Sequence, residues 1–255
     1  MNLKGMDKLE KHFPDLKTAG GRVRIGLYAL ALFTLSTAYF IVSDNIPTWS
    51  IDSQIIVVAL GYLILSLFFS RKGLYREKYK ALAYRQAFVH FCIPGLALIF
   101  SAVAHAAYMN GPFVPRGWWT IVFTALGWLM LISGAILVIR SILTFGVDYL
   151  TMVYVYHPEE RELIQSSIYG VLRHPLYAGA LRIVIGLALL NGNANALAFA
   201  LLMPLGLFGW IRLVEEKELI ERFGQTYLEH RKKVPAFWPK IKNLPTYIRF
   251  LITGT

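Results

Sequence analysis

The sequence contains little charge and almost no cysteine. Only 16% of its 255 residues are charged, whereas soluble globular chains carry about 25%. With 56% hydrophobic residues, the chain lacks the polar surface of a water-soluble fold, and we predict an integral membrane protein. The single cysteine, Cys92, excludes a disulfide framework within the chain and a multi-cysteine zinc site, and no metal site is predicted.

Acidic residues are also scarce, with 15 Asp and Glu against 26 Lys and Arg and a net charge of +11. The basic residues cluster in three places, which are before Arg24, between Arg71 and Arg85, and after Arg212. Because these clusters lie between long apolar runs, they are typical of cytoplasmic loops that face anionic lipid. We therefore expect the lipid bilayer as a partner and no nucleic acid.

The apolar runs predict an all-α integral membrane protein with about six transmembrane helices. Placing both termini in the cytoplasm puts every basic cluster on the same side, as the positive-inside rule requires. The last two spans are joined only by Asn191-Gly192-Asn193, so they must form a tight helical hairpin. The predicted spans are residues 24–43, 54–70, 86–109, 118–142, 176–190 and 194–211.

This pattern divides the chain into three regions. Residues 1–23 mix both charge signs and lack the apolar core of a secretory signal, so we predict a cytoplasmic tail with Leu3, Met6, Leu9 and Phe13 on one side of a membrane-surface helix. Residues 24–142 form a four-helix transmembrane region. Residues 143–255 contain the motifs described next, the hairpin and an amphipathic C-terminal segment.

The first motif is Arg173-His174-Pro175-Leu176-Tyr177, which we call the RHPLY segment. Pro175 suits the first turn of a helix. Arg173 and His174 then lie just before the helix, where free backbone N–H groups and the helix dipole favour an anion. His174 and Tyr177 are three residues apart and face the same way. The segment predicts a pocket for the carboxylate or phosphate of a cofactor, although an Arg-His pair at a membrane interface also serves simply to contact headgroups.

The second motif is the carboxylate pair Glu215-Glu216, directly after the last apolar run. Anionic lipid repels such a pair, so it needs cationic or hydroxyl partners, for which Arg212 one turn earlier and Arg173-His174 across the hairpin are the candidates. Carboxylates also suit ribose hydroxyls, an amino group or a sulfonium. The alternative is that the pair simply begins a solvated helix.

The residues after this pair have less distinctive features. The solvated-helix interpretation fits Glu218 and Glu221 best. Gly224 predicts a helix end, and the basic and aromatic remainder, up to Pro239, predicts a segment that lies on the membrane surface.

Together, the RHPLY segment, the Glu215-Glu216 pair and ERFGQTYLEHRKKVPAFWP at 221–239 resemble the isoprenylcysteine carboxyl methyltransferase and phospholipid methyltransferase superfamily of integral-membrane enzymes. The resemblance runs from about Leu163 to Pro239. It implies methyl transfer from S-adenosylmethionine, without a metal, to a membrane-accessible lipidic or prenylated acceptor. Because the hairpin leaves and returns to the cytoplasmic side, we also expect an active site that faces the cytoplasm, in a cytoplasmic membrane or the endoplasmic reticulum.

The resemblance further implies roles for individual residues. The catalytic residues would be Arg173, Arg212, Glu215 and Glu216, with Glu216 and Arg212 at the same mouth as the cofactor. The cofactor-binding residues would be Leu163, Ile164, Tyr169, His174, Pro175, Leu176, Tyr177 and Glu215.

Two other functions fit parts of the pattern. NADPH-dependent sterol and steroid reductases share a similar terminal architecture and carry a related RHP element, but Leu176 in place of their Asn and the Glu215-Glu216 pair favour methyl transfer. A non-catalytic membrane relative is the third alternative, and the intact motifs argue against it.

Overall fold

The computed structural model describes residues 3–46, 48–115, 117–160 and 167–254. Within these ranges the protein is all-α, as predicted, and its only β-type pairing is an isolated bridge between Phe113 and Asn193. The α-helices, in chain order, are α1 (Met6–His12), α2 (Ala19–Ser43), α3 (Trp49–Ser70), α4 (Lys72–Tyr79), α5 (Ala83–Ala87), α6 (Ile93–His105), α7 (Trp118–Phe145), α8 (Val147–Leu150), α9 (Val153–Tyr156), α10 (Pro175–Asn191), α11 (Ala194–Trp210), α12 (Glu216–Lys233) and α13 (Leu244–Thr253).

Five continuous helical segments in the described ranges are long and apolar enough to cross a membrane. At 1.5 Å per residue, the 17 residues of α10 measure about 25 Å, less than the hydrocarbon core of about 30 Å. A sixth crossing by α10 therefore stays a prediction. The orientation of the termini also stays a prediction. The five segments are Ala19–Ser43, Trp49–Ser70, Lys72–His105, Trp118–Phe145 and Ala194–Lys233.

The predicted N-terminal tail is part of the folded protein and not a separate surface helix. Leu9 and Phe13 are buried, and the Phe13 ring packs edge-on against Tyr84 and Phe88. Helix α2 also begins earlier than predicted, because the Thr18 hydroxyl accepts a hydrogen bond from a backbone N–H of its first turn at 3.1 Å. On the apolar side that was assigned to the membrane, Leu9 and Phe13 thus pack on the protein, whereas Leu3 is 42% exposed.

The predicted hairpin is present as α10 and α11. The turn places Gly192 at a φ of 75°, a left-handed conformation that glycine adopts without strain. Asn193 caps α11 by accepting a hydrogen bond from the backbone N–H of Ala196 at 2.8 Å. The Asn191 side chain donates to the carbonyl of Met109 at 3.1 Å, which ties the turn to the end of α6.

Glycines allow α7 and α10 to pack with their backbones close together. A Cβ on Gly134 would lie 2.7 Å from the carbonyl oxygen of Gly179, and one on Gly186 would lie 2.8 Å from that of Gly127. Small residues that let the backbones of two helices approach closely are a common means of helix association in membranes. This contact fixes the hairpin against the fourth span, and with it the position of the RHPLY segment at the start of α10.

Two π-helical turns interrupt the long helices. The first, Phe88–Cys92, joins α5 to α6, and the second, Ile211–Glu215, joins α11 to α12 directly before Glu216. Gly224, predicted as a helix end, is a kink with a φ of 54° after which α12 resumes. We call the end of the bundle that carries α4, the RHPLY segment and α12 the basic end.

Candidate active site

A cavity of about 300 Å³ lies between the spans and is lined at the basic end by residues of the RHPLY segment and by Glu215. Its polar part is formed by Glu215, His174, Tyr177 and Thr151. The rest is aliphatic or aromatic, and it runs along α3, α6, α10 and α11. Lining side chains in this apolar part include Leu96, Ile99, Phe100, Val103, Val138, Ala180, Ile183, Met203 and Leu207.

The predicted cofactor residues in the described ranges converge on this cavity. Leu163 and Ile164 lie outside the described residues. The lining contains all the others, namely Tyr169, His174, Pro175, Leu176, Tyr177 and Glu215. The structure therefore brings together side chains that are about 40 positions apart in the chain.

Glu215 and Glu216 point to different surroundings. Glu215 lines the cavity together with Tyr177 and is 3% exposed. Its Oε1 lies 3.8 Å from His174 Nδ1. Glu216 is 2% exposed and is not among the described lining residues. That Glu216 also lines the mouth stays a prediction.

Glu216 is enclosed by four polar partners. Its Oε1 accepts a hydrogen bond from the Tyr227 hydroxyl at 3.0 Å and lies 3.0 Å from Arg173 Nη2 and 3.3 Å from His174 Nε2. Its Oε2 lies 3.5 Å from Arg231 Nη1. A buried charge is tolerated only with such compensation. Glu216 thus links the start of α10 to both halves of α12.

The stretch after α12, residues 234–238, lies against the RHPLY segment, and we call it the strap. The backbone N–H of Arg173 donates to the carbonyl of Pro235 at 2.9 Å, and that of His174 donates to Ala236 at 3.2 Å. These two N–H groups, predicted to be free for an anion, are thus occupied by the protein itself.

Arg173 also holds the strap through its side chain. Its Nη1 donates to the carbonyls of Arg231 and Val234 at 2.8 and 2.9 Å. The side chain is 9% exposed, and it is absent from the described cavity lining. The predicted membrane-surface segment after Gly224 therefore closes over the motif at the basic end.

Arg212, predicted at the same mouth, is exposed and is not a described lining residue. Of the two candidate partners predicted for the carboxylates, the Arg173-His174 cluster contacts Glu216, whereas the described ion pairs of Glu216 do not include Arg212. Glu218, expected on a solvated face, is 6% exposed, and it lies 3.5 Å from Arg222. Glu221 is exposed, as expected.

Sequence reasoning missed the aromatic residues that complete the cavity. Tyr149 and Tyr154 come from the short helices α8 and α9, and Tyr62 and Trp210 come from α3 and α11. The rings of Tyr149 and Tyr169 are 5.5 Å apart. A signal was present, because residues 147–156 contain one charged residue within a stretch assigned to the cytoplasm.

Comparisons with known proteins match a part of the chain that includes the RHPLY segment and Glu215. A family model described as phospholipid methyltransferase matches residues 122–226, which run from α7 into α12. Protein-S-isoprenylcysteine O-methyltransferase B of Arabidopsis thaliana is 28% identical over 151 residues, 59% of this chain and 74% of that protein. The Xenopus laevis protein-S-isoprenylcysteine O-methyltransferase is 32% identical over 121 residues, 48% of this chain and 42% of its own.

Over the matched residues, the chain is thus similar to the phospholipid methyltransferase family and to the isoprenylcysteine O-methyltransferases. The Saccharomyces cerevisiae member is 31% identical over 122 residues, which cover 48% of this chain and 51% of that one. The match to the frog and yeast methyltransferases thus spans about half of their length. No solved structure matches the chain.

Proposed function

We propose that the protein transfers a methyl group from S-adenosylmethionine to the carboxylate of an S-prenylated cysteine. The observation that carries the proposal is the continuity of one cavity, with Glu215 and His174 at its polar end and aliphatic side chains along the rest. A lipidic acceptor likewise has a polar reacting end and an apolar tail, which match the polar and apolar parts of the cavity.

The polar end suits the proposed cofactor. The Glu215 carboxylate would accept hydrogen bonds from ribose hydroxyls or from an amino group, and the rings of Tyr149, Tyr154 and Tyr169 would face a sulfonium cation. A volume of about 300 Å³ lies within the range of ligand pockets. S-adenosylmethionine, when bound, supplies an electrophilic methyl group on its sulfonium.

The apolar part suits the acceptor tail. Phe100 lines the cavity and is 53% exposed, so the cavity reaches the lipid-facing surface beside α6. An acceptor dissolved in the bilayer would enter there without crossing water. The curated relatives are named as isoprenylcysteine O-methyltransferases, which agrees with a prenyl tail and an oxygen nucleophile.

The chain's own residues would act mainly by positioning. A carboxylate attacks in line without losing a proton, so no general base is needed and Glu215 can remain a binding group. Holding two reactants in such an orientation supplies much of the rate enhancement in a bimolecular reaction. Glu216, Arg173 and the strap would fix His174 and the start of α10 rather than contact the reactants.

The orientation of the protein in the membrane follows from its charge distribution. Placing the basic end in the cytoplasm satisfies the positive-inside rule, and the cavity would then receive cytoplasmic S-adenosylmethionine. The host membrane would be a cytoplasmic membrane or the endoplasmic reticulum.

The test is calorimetric titration of the detergent-solubilised protein with S-adenosylhomocysteine and, separately, with NADPH. We expect micromolar binding of S-adenosylhomocysteine that is weakened about tenfold or more in Glu215→Gln, and no binding of NADPH. Binding of NADPH alone by folded protein would contradict the proposal and favour a reductase.

A second assay tests the acceptor. Radiolabelled methyl groups should transfer to a small S-prenylated cysteine with a blocked amine and a free carboxylate. The methyl ester of the same compound is the matched control, because its acceptor oxygen is already occupied. Transfer to phosphatidylethanolamine in place of the prenylated cysteine would overturn the assignment of the acceptor.

A further inference from the structure

The C-terminal helix α13 presents three faces with different chemistry. Tyr247 and Phe250 are buried against the protein. Thr246 and Arg249 are exposed polar residues on a second face. The third face consists of exposed aliphatic side chains four residues apart, Leu244, Ile248 and Ile252, which are 39%, 51% and 68% exposed.

Neighbouring exposed residues extend the aliphatic face. Ile241 is 86% exposed and Trp238 is 47% exposed. Aliphatic side chains four apart form one stripe along a helix. A different face of α13 packs on the protein, so the aliphatic stripe does not face the protein core. It does not share the polar face of the helix either.

Contacts with α7 place this stripe at the level of the membrane. Arg140 of α7 donates from Nη2 to the carbonyl of Ile252 at 2.6 Å and from Nη1 to that of Thr253 at 3.4 Å. On either side of Arg140, Ile139 and Leu143 are 56% and 53% exposed on the apolar surface of α7. The stripe of α13 therefore continues the lipid-facing surface of a membrane-spanning helix at the basic end.

Charge in this part of the chain has one sign. No Asp or Glu follows Glu229, whereas residues 230–255 contain six Lys and Arg. Three of these, Lys240, Lys242 and Arg249, are exposed in or beside α13. An amphipathic helix with basic residues next to its apolar stripe is typical of binding to an anionic membrane surface.

We propose that α13 lies in the plane of the membrane at the basic end, with its aliphatic stripe in the acyl-chain boundary and its basic residues on anionic headgroups. This docking would anchor the strap. Arg182 of α10 donates to the strap carbonyl of Phe237 at 3.1 Å, and its guanidinium stacks 4.2 Å from the Trp238 ring and 5.4 Å from the Tyr247 ring. Helix α13, the strap and α10 therefore meet at one buried cation.

The test uses thiol labelling of the full-length chain. Cys92, the single cysteine, is fully buried, so a cysteine introduced at an exposed position takes an environment-sensitive fluorophore selectively. Ile252→Cys reports on the aliphatic stripe, and Thr246→Cys on the polar face of the same helix is the matched control. Both proteins are reconstituted in phosphatidylcholine vesicles, with and without phosphatidylglycerol.

We expect blue-shifted emission and quenching by brominated acyl chains at position 252 and neither effect at position 246. Each basic residue near an anionic surface strengthens binding by roughly fivefold, so phosphatidylglycerol should increase the quenching at 252. The triple substitution Lys240→Gln, Lys242→Gln and Arg249→Gln should remove that increase. Equal quenching at both positions, or quenching unaffected by phosphatidylglycerol, would overturn the proposal. The readout involves no cofactor, so its outcome does not depend on methyl transfer.

Discussion

Glu215 and Glu216 are consecutive in the chain, yet one faces the cavity and the other is held between Arg173 and Arg231. A buried carboxylate with four polar partners stabilises the fold, while one that lines a cavity beside Tyr177 and His174 can serve a ligand. The pair that appears as one motif in the sequence thus has two physical roles.

Glutamine substitutions should separate these roles. Glu216→Gln leaves the buried Arg173 and the partly exposed Arg231 without their counter-charge, so we expect it to lower the free energy of unfolding by about 3 kcal/mol. Glu215→Gln should leave stability nearly unchanged while weakening S-adenosylhomocysteine binding about tenfold or more, since hydrogen bonds to charged groups contribute about 1.5–3 kcal/mol. Thermal unfolding in detergent and calorimetry measure the two effects. The assignment is wrong if both variants lose the same property.

Arg173 and Arg212 form a matched pair for testing the strap. Arg173→Met removes the donors to Arg231 and Val234 and the charge beside Glu216, so the strap should exchange its amide hydrogens at least tenfold faster. Arg212→Met changes the same chemistry at an exposed position and should leave the exchange as in the wild type. Hydrogen exchange followed by mass spectrometry compares the peptides that cover 231–238. Equal protection in both variants would show that Arg173 does not hold the strap.

Filling the apolar part of the cavity should affect only the acceptor. Ile183 lines that part, and Ile183→Trp would occupy space needed by a prenyl tail. We expect a KM for the prenylated acceptor raised about tenfold or more, since one methylene is worth about 1 kcal/mol in an apolar pocket, with S-adenosylhomocysteine affinity retained. The control is Leu201→Trp, because Leu201 is 77% exposed on the neighbouring helix. Unchanged acceptor kinetics in Ile183→Trp would place the tail elsewhere.

A second buried polar cluster lies at the opposite end of the bundle and joins the first three spans. His105 is fully buried, with Nε2 at 3.0 Å from Asp44 Oδ2 and Nδ1 at 2.8 Å from Gln54 Oε1. We expect His105→Phe to lower the free energy of unfolding by about 1–3 kcal/mol through unpaired buried groups, with cofactor affinity unchanged. Asp52→Asn, at an exposed site of α3, is the control for thermal unfolding. A loss of cofactor binding without a loss of stability would contradict a purely structural role.

The ion pair between Asp15 and Arg85 predicts a pH dependence of stability. The hydrogen bonds from Arg85 at 2.9 and 3.0 Å lower the pKa of the Asp15 carboxyl despite partial burial. Because the pKa of Asp15 is lower in the folded state, the ion pair stabilises the fold at pH values above the pKa of the unfolded state, about 3.9. This stabilisation is lost as the pH falls through the pKa of the folded state. At neutral pH, the free energy of unfolding of the wild type should exceed that of Asp15→Asn by on the order of 1 kcal/mol. This difference in stability should vanish in acid. A constant difference across this range would exclude the ion pair as its cause.

Much of the fold could be predicted from periodicity and charge. The apolar runs gave the membrane helices because a span needs about 20 residues without charge, and three polar residues between two runs left no topology except a hairpin. The start of α2 was less accurate, since it depends on the single hydrogen bond that caps this helix at Thr18.

The candidate site was predictable only in part. The sequence by itself determined which chemistry is present, because Tyr169, the RHPLY segment and Glu215 carry it in any fold that joins the ends of the hairpin. The tertiary structure decided which of these residues line the cavity and which contact other parts of the protein or solvent. It turned Glu216 to the arginines, left Arg212 exposed, brought in Tyr149 and Tyr154, and folded the strap onto Arg173. These outcomes depend on packing between segments far apart in the chain, such as the glycine contacts of α7 with α10, and local spacing carries no information about such packing.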